Sequence, residues 1–182
     1  MIDRSQFLEK HRISEDKYEA AALGWDALTE IYEDYCASQS DLEAAATGIA
    51  DLLRRIPAVH SLKIRVKDPE HLLAKIIRKR AEEGSRDISL HNYRQEITDL
   101  IGVRALHLFR EDWEPIHDYI VTKWELHEQP TAYVKQGEPA EFTDHAANKG
   151  CVVKEHEAGY RSVHYLIKSS ATKRKHIAEV QV

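Results

Sequence analysis

The chain has 182 residues, of which 42% are hydrophobic and 31% are charged, with a formal net charge of −5. This composition excludes a disordered chain. The sequence has no apolar run of about 18 residues and no apolar secretory leader. It therefore predicts one cytoplasmic domain without a membrane partner. The acidic balance argues against a protein that follows the backbone of a nucleic acid, because such proteins usually carry a basic surplus.

The first third of the chain has the apolar periodicity of helices. One continuous helix is predicted over residues 15–37, with Ser14 as its N-cap. A second helix is predicted from Asp41 until Pro57 stops it. Neither helix carries an evident chemical motif, so we assign residues 1–57 to an N-terminal helical lead-in that packs on one face of a sheet.

The pattern changes from helical to alternating after the second helix. Apolar and polar residues alternate over residues 61–67, which is the period-2 signal of a half-buried strand. Asp68 then offers an N-cap and Pro69 a first helical residue, which predicts a helix that ends within the polar stretch 82–87. The same criteria predict a strand, a helix and a strand in the middle of the chain, over residues 102–109, 111–123 and 126–134.

The last part of the chain contains a long segment without periodicity. Residues 135–150 are rich in Gly, Pro, Glu and small residues, and we predict a long loop there. Strands follow over 160–168 and 176–182, joined by the basic turn 169–175. The sequence therefore predicts an α+β fold, with a mixed β-sheet flanked by helices in a domain of residues 58–182. Because the chain stops directly after a strand, we expect this domain to be truncated at its C-terminus.

Basic residues are concentrated between Lys63 and Arg80. Arg65 and Lys67 are two apart and therefore lie on the same strand face, directly before a helix N-terminus. Lys75 lies two turns into that helix and His71 one turn before it, on the same side. Cations beside the free amides of a first helical turn make a site for a compact anion such as a nucleoside triphosphate. An exposed edge strand has the same composition.

The segment ITDLIGVRALHLF combines a carboxylate with a glycine and an arginine. Asp99 directly precedes an apolar strand, where a carboxylate can hold Mg²⁺ together with substrate phosphates. Gly102 allows a close approach to the backbone, and Arg104 follows two residues later. A turn aspartate next to a strand glycine explains the segment equally well.

The segment GYRSVHY places an aromatic ring and polar groups on one strand face. Gly159 gives the backbone freedom, and Tyr160 offers a ring on which a purine can stack, a contact worth about 1–3 kcal/mol. Tyr160, Ser162 and His164 alternate with the residues of the other face. In the final strand, Glu179 and Gln181 alternate with valines, and a glutamate there can attract the proton of an attacking hydroxyl.

The order of these four segments resembles the synthetase domain of the RelA/SpoT (alarmone synthetase) family. The segments R-x-K, D-L-x-G-x-R, G-Y-R-S-x-H and E-x-Q-x follow one another in the order typical of that family, over about residues 59–182. The resemblance implies a nucleotidyltransferase-like fold. It also implies an ATP-dependent pyrophosphokinase, which moves the β,γ-pyrophosphate of ATP to the 3′-hydroxyl of GDP or GTP and releases AMP.

The resemblance also implies roles for individual residues. The ATP-binding residues would be Arg65, Lys67, His71, Lys75 and Arg104. Asp99 and Glu179 would be the catalytic pair that shares Mg²⁺, with Glu179 activating the 3′-hydroxyl. The residues that bind the acceptor nucleotide would be Lys154, Gly159, Tyr160, His164 and Gln181. All of these implications require that Asp99 and Glu179 meet beside Arg65 and Lys67.

The sequence departs from the family pattern mainly on the acceptor side. Ala158 stands where the family has Asn, Lys154 replaces the usual lysine at a different spacing, and His71 stands where the family usually has Ser. Two other functions therefore stay open. One is a toxin-like synthetase that modifies tRNA or adenosine nucleotides, and the other is a catalytically silent nucleotide-binding module. An antitoxin or a regulatory domain is a possible partner.

Overall fold

The computed structural model describes residues 2–82, 87–169 and 175–182. Within these ranges the helices are α1 (Arg4–Lys10), α2 (Glu15–Ala20), α3 (Trp25–Ala37), α4 (Gln39–Leu53), α5 (Pro69–Glu82), α6 (Tyr93–Glu96), α7 (Trp113–Lys123) and α8 (Ala140–Asn148). The strands are β1 (Ser61–Val66), β2 (Ile101–Leu106), β3 (Glu125–Leu126), β4 (Thr131–Val134), β5 (Val152–Glu155), β6 (Ser162–Ser169) and β7 (His176–Gln181).

The strands form one mixed sheet in the order β1-β2-β7-β6-β4-β5, and the short β3 pairs with the end of β6. β2 and β7 run parallel, as do β4 and β5, and the remaining pairs are antiparallel. A mixed sheet flanked by helices is the α+β class that the sequence predicts, and this prediction is confirmed.

The two faces of the sheet differ in burial. Helix α4 covers one face over β1, β2 and β7. Helix α7 reaches the same face at β6, where Trp113 Nε1 donates to the hydroxyl of Tyr165 at 2.9 Å. Side chains of the other face are at least partly exposed, and we call it the open face. Because side chains alternate along a strand, most apolar residues of β2, β6 and β7 fill the core, while charged residues of β1, β2 and β7 collect on the open face.

The helix predicted over residues 15–37 is broken, and that prediction is wrong in its continuity. Ser14 does cap α2, since its Oγ accepts from the backbone N–H of Lys17 at 3.3 Å. The chain then leaves the helix at Ala22, whose φ is +48°, and α3 begins after Gly24. Both conformations interrupt a helix, because a positive φ is left-handed and glycine favours a helix boundary.

Three further predictions need correction. The strand expected over 126–134 is split into β3 and β4, because Pro130 between them lacks a backbone N–H and interrupts the ladder. The segment 135–150 contains helix α8 rather than a loop alone. The signal for α8 is weak, because Phe142 and Ala146 are its one pair of inward-facing residues at helical spacing. The strand predicted over 102–109 ends at Leu106.

The N-terminal helices position the helix that follows β1. Helices α2 and α3 pack against α5, and the hydroxyl of Tyr35 donates to the carbonyl of Lys67 at 2.6 Å. Residues of the predicted lead-in and of the sheet share one hydrophobic core, while the domain boundary at residue 58 stays a prediction. Parts of the predicted helix end at 82–87 and turn at 169–175 lie outside the described residues. No helix in the described ranges is long and apolar enough to cross a membrane.

Candidate active site

Two rows of paired residues cross the open face of the sheet. In the first row, Gly102 of β2 lies between Arg65 of β1 and Glu179 of β7. In the second row, Arg104 and Gln181 stand side by side at the centre. The row is completed by Lys63 of β1 on one side and His164 of β6 on the other. Cationic side chains therefore come from β1 and β2, and the carboxylate of Glu179 lies next to them.

The structure brings Asp99 and Glu179 to one cavity. This central cavity has a volume of about 370 Å³ and is lined by both carboxylates together with Lys63, Arg65, Gly102, Val103, Arg104 and Gln181. Asp99 arrives from the turn before β2, and Glu179 arrives from the neighbouring strand β7. The parallel pairing of β2 with β7 is what unites residues that lie far apart in the sequence.

Asp99 is held by two lysines. Both Lys67 Nζ and Lys75 Nζ lie 2.8 Å from Asp99 Oδ2. The other oxygen, Oδ1, is buried and has no hydrogen-bond partner within the described residues. Burial by itself raises the pKa of Asp99, but the hydrogen bonds from Lys67 and Lys75 outweigh it, so the pKa of this carboxyl lies below its ordinary value.

A second cavity, which we call the donor cavity because the residues predicted to bind ATP lie along it, adjoins the central one and shares Arg65 and Asp99 with it. Its volume is about 630 Å³, and its remaining polar lining comes from Lys67, Asp68, His71, Lys75 and Arg78. The predicted N-cap is present, because Asp68 Oδ1 accepts from the backbone N–H of His71 at 3.0 Å. The donor cavity thus combines several cations with the N-terminus of α5, a combination suited to phosphate groups.

Glu179 lies in a chain of side-chain hydrogen bonds. His164 Nδ1 is 3.1 Å from its Oε1, and Gln181 Nε2 donates to its Oε2 at 3.0 Å. Gln181 in turn accepts from Arg104 Nη2 at 2.8 Å. The hydrogen bond from His164 holds the pKa of the Glu179 carboxyl below its ordinary value, against the opposite effects of burial and of the negative charge of Asp99.

Four rings form a cluster at the other end of the open face. Tyr133 lies 4.8 Å from His164 and 6.5 Å from Tyr160 between ring centroids, and His156 lies 5.5 Å from Tyr160. The sharp turn before Tyr160 depends on Gly159, whose φ of +69° is left-handed and whose N–H donates to the carbonyl of His156 at 2.9 Å. We call these four side chains the ring cluster.

Residues 64–182 match the RelA_SpoT family, described as a region found in RelA / SpoT proteins. The chain belongs to this family. The match includes every site residue that the sequence predicts, from Arg65 to Gln181. None of the curated proteins matches the sequence.

Solved structures of related proteins give weaker matches. A GTP pyrophosphokinase family protein from Streptococcus pneumoniae has a TM-score of 0.47 and 17% identity, over 87% of this chain and 70% of that one. The small alarmone synthetase 1 from Bacillus subtilis, bound to its product pppGpp, has a TM-score of 0.48 and 18% identity, over 81% of this chain and 68% of that one.

The carboxylates of this RelA/SpoT domain suit a magnesium ion. Mg²⁺ prefers carboxylate oxygens and usually keeps several waters or substrate oxygens, so it needs only one or two protein ligands. The buried Oδ1 of Asp99, which has no partner within the described residues, has the chemistry of such a ligand, and Glu179 lines the same cavity. In the described ranges no group of three or more His, Cys, Asp and Glu side chains gathers to hold a metal.

Sequence reasoning missed several side chains at these sites. Lys63 lines the central cavity, Arg78 lines the donor cavity, and Tyr133 and His156 belong to the ring cluster. Lys63 shares the strand face of Arg65 by period 2, which is a signal the sequence does contain. Lys154, predicted at the acceptor site, lies on the edge strand β5 in register with Tyr133 and is exposed.

Proposed function

We propose that this protein is an ATP-dependent pyrophosphokinase that transfers the β,γ-pyrophosphate of ATP to the 3′-hydroxyl of GDP or GTP. The observation that carries this proposal is the convergence of Asp99 and Glu179 on one cavity between a cationic pocket and a cluster of rings. Membership of the RelA/SpoT family supports the reaction class, and the small alarmone synthetase bound to pppGpp supports a guanosine product.

The donor cavity supports ATP as the donor. Its cations, among them Arg65, Lys75 and Arg78, stand beside the first turn of α5, where a triphosphate is stabilised by charge and by free backbone amides. Lys67 and Lys75 already bind Asp99, but an ammonium group has three donors and can serve a phosphate as well. Arg104 and His71 complete the proposed ATP site, His71 with a largely exposed side chain.

The ring cluster supports a purine nucleotide as the acceptor. Tyr160 is partly exposed and offers its ring for stacking, and the rings of Tyr133 and His156 both contact it. We assign Lys154 to the acceptor phosphates, because it extends from β5 in register with Tyr133. His164 and Gln181 connect the acceptor site to Glu179.

In the proposed reaction, the acceptor's 3′-oxygen attacks the β-phosphorus of ATP, and the bond between that phosphorus and the oxygen bridging to the α-phosphorus breaks. Glu179 accepts the proton of the 3′-hydroxyl, because its lowered pKa keeps it a carboxylate at neutral pH. AMP leaves with the electron pair of the broken bond. Arg65 and Arg104 stabilise the negative charge that gathers on the phosphate oxygens, and positioning supplies much of the remaining acceleration.

Magnesium is the cofactor of this proposal, held by Asp99 and Glu179, and it would neutralise charge on the transferred pyrophosphoryl group. A cytoplasmic location follows from the nature of the substrates, which are soluble nucleotides. An antitoxin or a regulatory domain stays a possible partner.

The test is transfer of label from ATP. The protein is incubated with Mg²⁺ and ATP labelled in the β- or γ-phosphate, and GDP, GTP, AMP, ADP and tRNA are offered separately as acceptors. Label on GDP or GTP supports the proposal, and tight binding of ATP without any transfer would overturn it in favour of a silent nucleotide-binding module. Label on tRNA or an adenosine nucleotide would replace the acceptor while keeping the reaction. ATP labelled in the α-phosphate is the control, because that label must leave with AMP.

A further inference from the structure

The hydroxyl of Tyr160 has a neighbour that stacking does not require. Its oxygen lies 3.3 Å from His164 Nε2, and the opposite nitrogen of that ring, Nδ1, lies 3.1 Å from Glu179 Oε1. The three side chains therefore form a linear chain from the acceptor site to the carboxylate in the central cavity. Gln181 donates to the second oxygen of Glu179, so both oxygens of the carboxylate are hydrogen-bonded.

The chemistry of these groups sets the direction of the hydrogen bonds. A carboxylate has no hydrogen to donate, so the bond between Glu179 and His164 requires the hydrogen on Nδ1. In a neutral imidazole the other nitrogen is then an acceptor, and the Tyr160 hydroxyl is the donor next to it. The Glu179 carboxylate thus sets the Nδ1–H tautomer of His164, and the hydrogen bond from the Tyr160 hydroxyl to Nε2 holds the ring in the orientation from which Nδ1–H reaches the carboxylate.

We propose that Tyr160 and His164 are positioning residues: the Tyr160 hydroxyl holds the Nε2 edge of the His164 ring, and the Nδ1–H of that ring orients the Glu179 carboxylate. This assignment rests on the proposed function, in which Glu179 accepts the proton of the acceptor hydroxyl. It gives Tyr160 two separable roles: the ring binds the purine and the hydroxyl orients the carboxylate.

The arrangement couples acceptor binding to the reacting carboxylate. His164 and Glu179 are each about one-fifth exposed at their side chains, at 20% and 23%, so water competes only partly for their hydrogen bond. A nucleotide stacked on Tyr160 would cover the Tyr160 end of these hydrogen bonds and exclude more water from them. Hydrogen-bonded partners that orient a reacting group in this way typically matter for turnover more than for substrate affinity.

The first experiment does not depend on activity. Nitrogen-15 NMR of the histidine side chains, in mildly alkaline buffer without metal, reports which ring nitrogen of His164 carries the hydrogen, with His164→Gln used to assign its signals. We expect the hydrogen on Nδ1 in the wild-type protein, and in Tyr160→Phe a change in the resonance of Nε2, which loses its hydrogen-bond donor while Nδ1 keeps its hydrogen. A hydrogen on Nε2 in the wild type, or an unchanged Nε2 resonance in Tyr160→Phe, would overturn the proposal even if the enzyme had no activity at all.

The second experiment separates turnover from binding. Tyr160→Phe keeps the ring, so the acceptor KM should change less than twofold while kcat falls about tenfold, which corresponds to about 1.4 kcal/mol. His164→Gln should lower kcat further. Adding Tyr160→Phe to His164→Gln should have no additional effect, because both residues act on Glu179 through the same hydrogen bonds. Wild-type kcat in Tyr160→Phe, or multiplying losses in the double variant, would contradict the proposal. Absence of transfer by the wild type would instead contradict the proposed function.

Discussion

The two ends of the open face that we propose for the donor and for the acceptor are built from different side chains. At the donor end, Lys67 and Lys75 share the single carboxylate of Asp99, with Arg65 and Arg78 beside them. At the acceptor end, rings contact rings, and tyrosines and histidines take the place of fixed charges. The central cavity lies between the two and contains one carboxylate from each side.

In the proposed function, this contrast follows from what each end has to recognise. Phosphate groups are compact and highly charged, so point charges and backbone amides bind them with little demand on shape. A purine is flat and neutral, and planar rings bind it mainly by contact area and stacking. Changes at the donor end should therefore affect charge and chemistry, and changes at the acceptor end should affect affinity for one substrate.

The largest effect is expected for Asp99→Asn. This change removes the negative charge that both lysines share and the carboxylate that faces the metal, so transfer should fall on the order of 10³-fold. Circular dichroism should show a folded protein with a lower melting temperature, because Lys67 is buried and loses its charged partner. Asp118→Asn, which removes an exposed ion pair with Lys149, is the control. Wild-type transfer by Asp99→Asn would remove Asp99 from the site.

The next effect is expected for Gly102→Val, which adds a side chain between Arg65 and Glu179. A Cβ at this position would meet only the Arg65 carbonyl oxygen at 3.8 Å, an ordinary contact, so the variant should fold. Valine also favours strands, and thermal stability should be equal or higher. Its methyl groups would occupy the central cavity, so transfer should fall about 100-fold. Gly48→Ala in α4 is the control, and full activity in Gly102→Val would mean that substrates do not use this cavity.

At the acceptor end, Tyr160→Ala should raise the acceptor KM about tenfold or more, because a stacking contact is worth about 1–3 kcal/mol. The KM for ATP should stay within about twofold of the wild type. Tyr160→Phe is the matched control, since it retains the ring. Equal losses of affinity for both substrates would show that the two ends are not separate.

A smaller effect, on stability, is expected for Glu138→Gln. The Glu138 side chain is only 1% exposed and lies between Arg110 and Arg161, with Arg161 Nε at 2.7 Å. Losing this bridge should lower the free energy of unfolding by about 1 kcal/mol. Burial raises the pKa of Glu138, but the two arginines outweigh burial and hold this pKa below its ordinary value, so the stabilisation is present at neutral pH and is lost in acid as the pH falls through the lowered pKa.

Urea unfolding at neutral and acidic pH measures this difference, which should shrink in acid. Glu125→Gln is the matched control, because it breaks an ion pair whose carboxylate is 63% exposed and should change stability much less. A difference between Glu138→Gln and the wild type that grows in acid would contradict the assigned direction of the pKa shift.

The smallest effect concerns the two cysteines. Burial raises the pKa of Cys151 to about 11, so little of this thiol is ionised at neutral pH. Cys36 is less buried. Iodoacetamide should therefore modify Cys36 before Cys151 in the native protein, as followed by mass spectrometry, with Cys36→Ser as the control. Faster labelling of Cys151 would mean that this side of the fold opens readily.

The sequence predicts the donor end better than the acceptor end, for a physical reason. Arg65 and Lys67 belong to one strand and Lys75 to the adjoining helix, so local periodicity is sufficient to group them. Tyr133 joins the ring cluster only because β4 pairs with β6, and His156 joins it through the end of β5. Such pairing between distant strands leaves no periodic signal.

The same distinction explains the errors in secondary structure. Ala22 adopts a positive φ, which alanine does not favour, so the break between α2 and α3 could not be predicted from apolar spacing. Helix α8 buries only Ala146 completely, so few apolar residues mark its segment as part of the core. Glu138 precedes α8, and its position between two arginines depends on how that segment folds back onto β6.

The position of β7 has a consequence for how the protein is made. This strand comes last among those described, yet it lies between β2 and β6 and joins the β1–β2 pair to the β6–β4–β5 group. A ribosome delivers it after all its neighbours, so we expect a nascent chain to hold two incomplete sheets with unpaired strand edges until β7 inserts. Glu179 arrives with that strand, and the chain cannot consume ATP by the proposed reaction before its fold is closed.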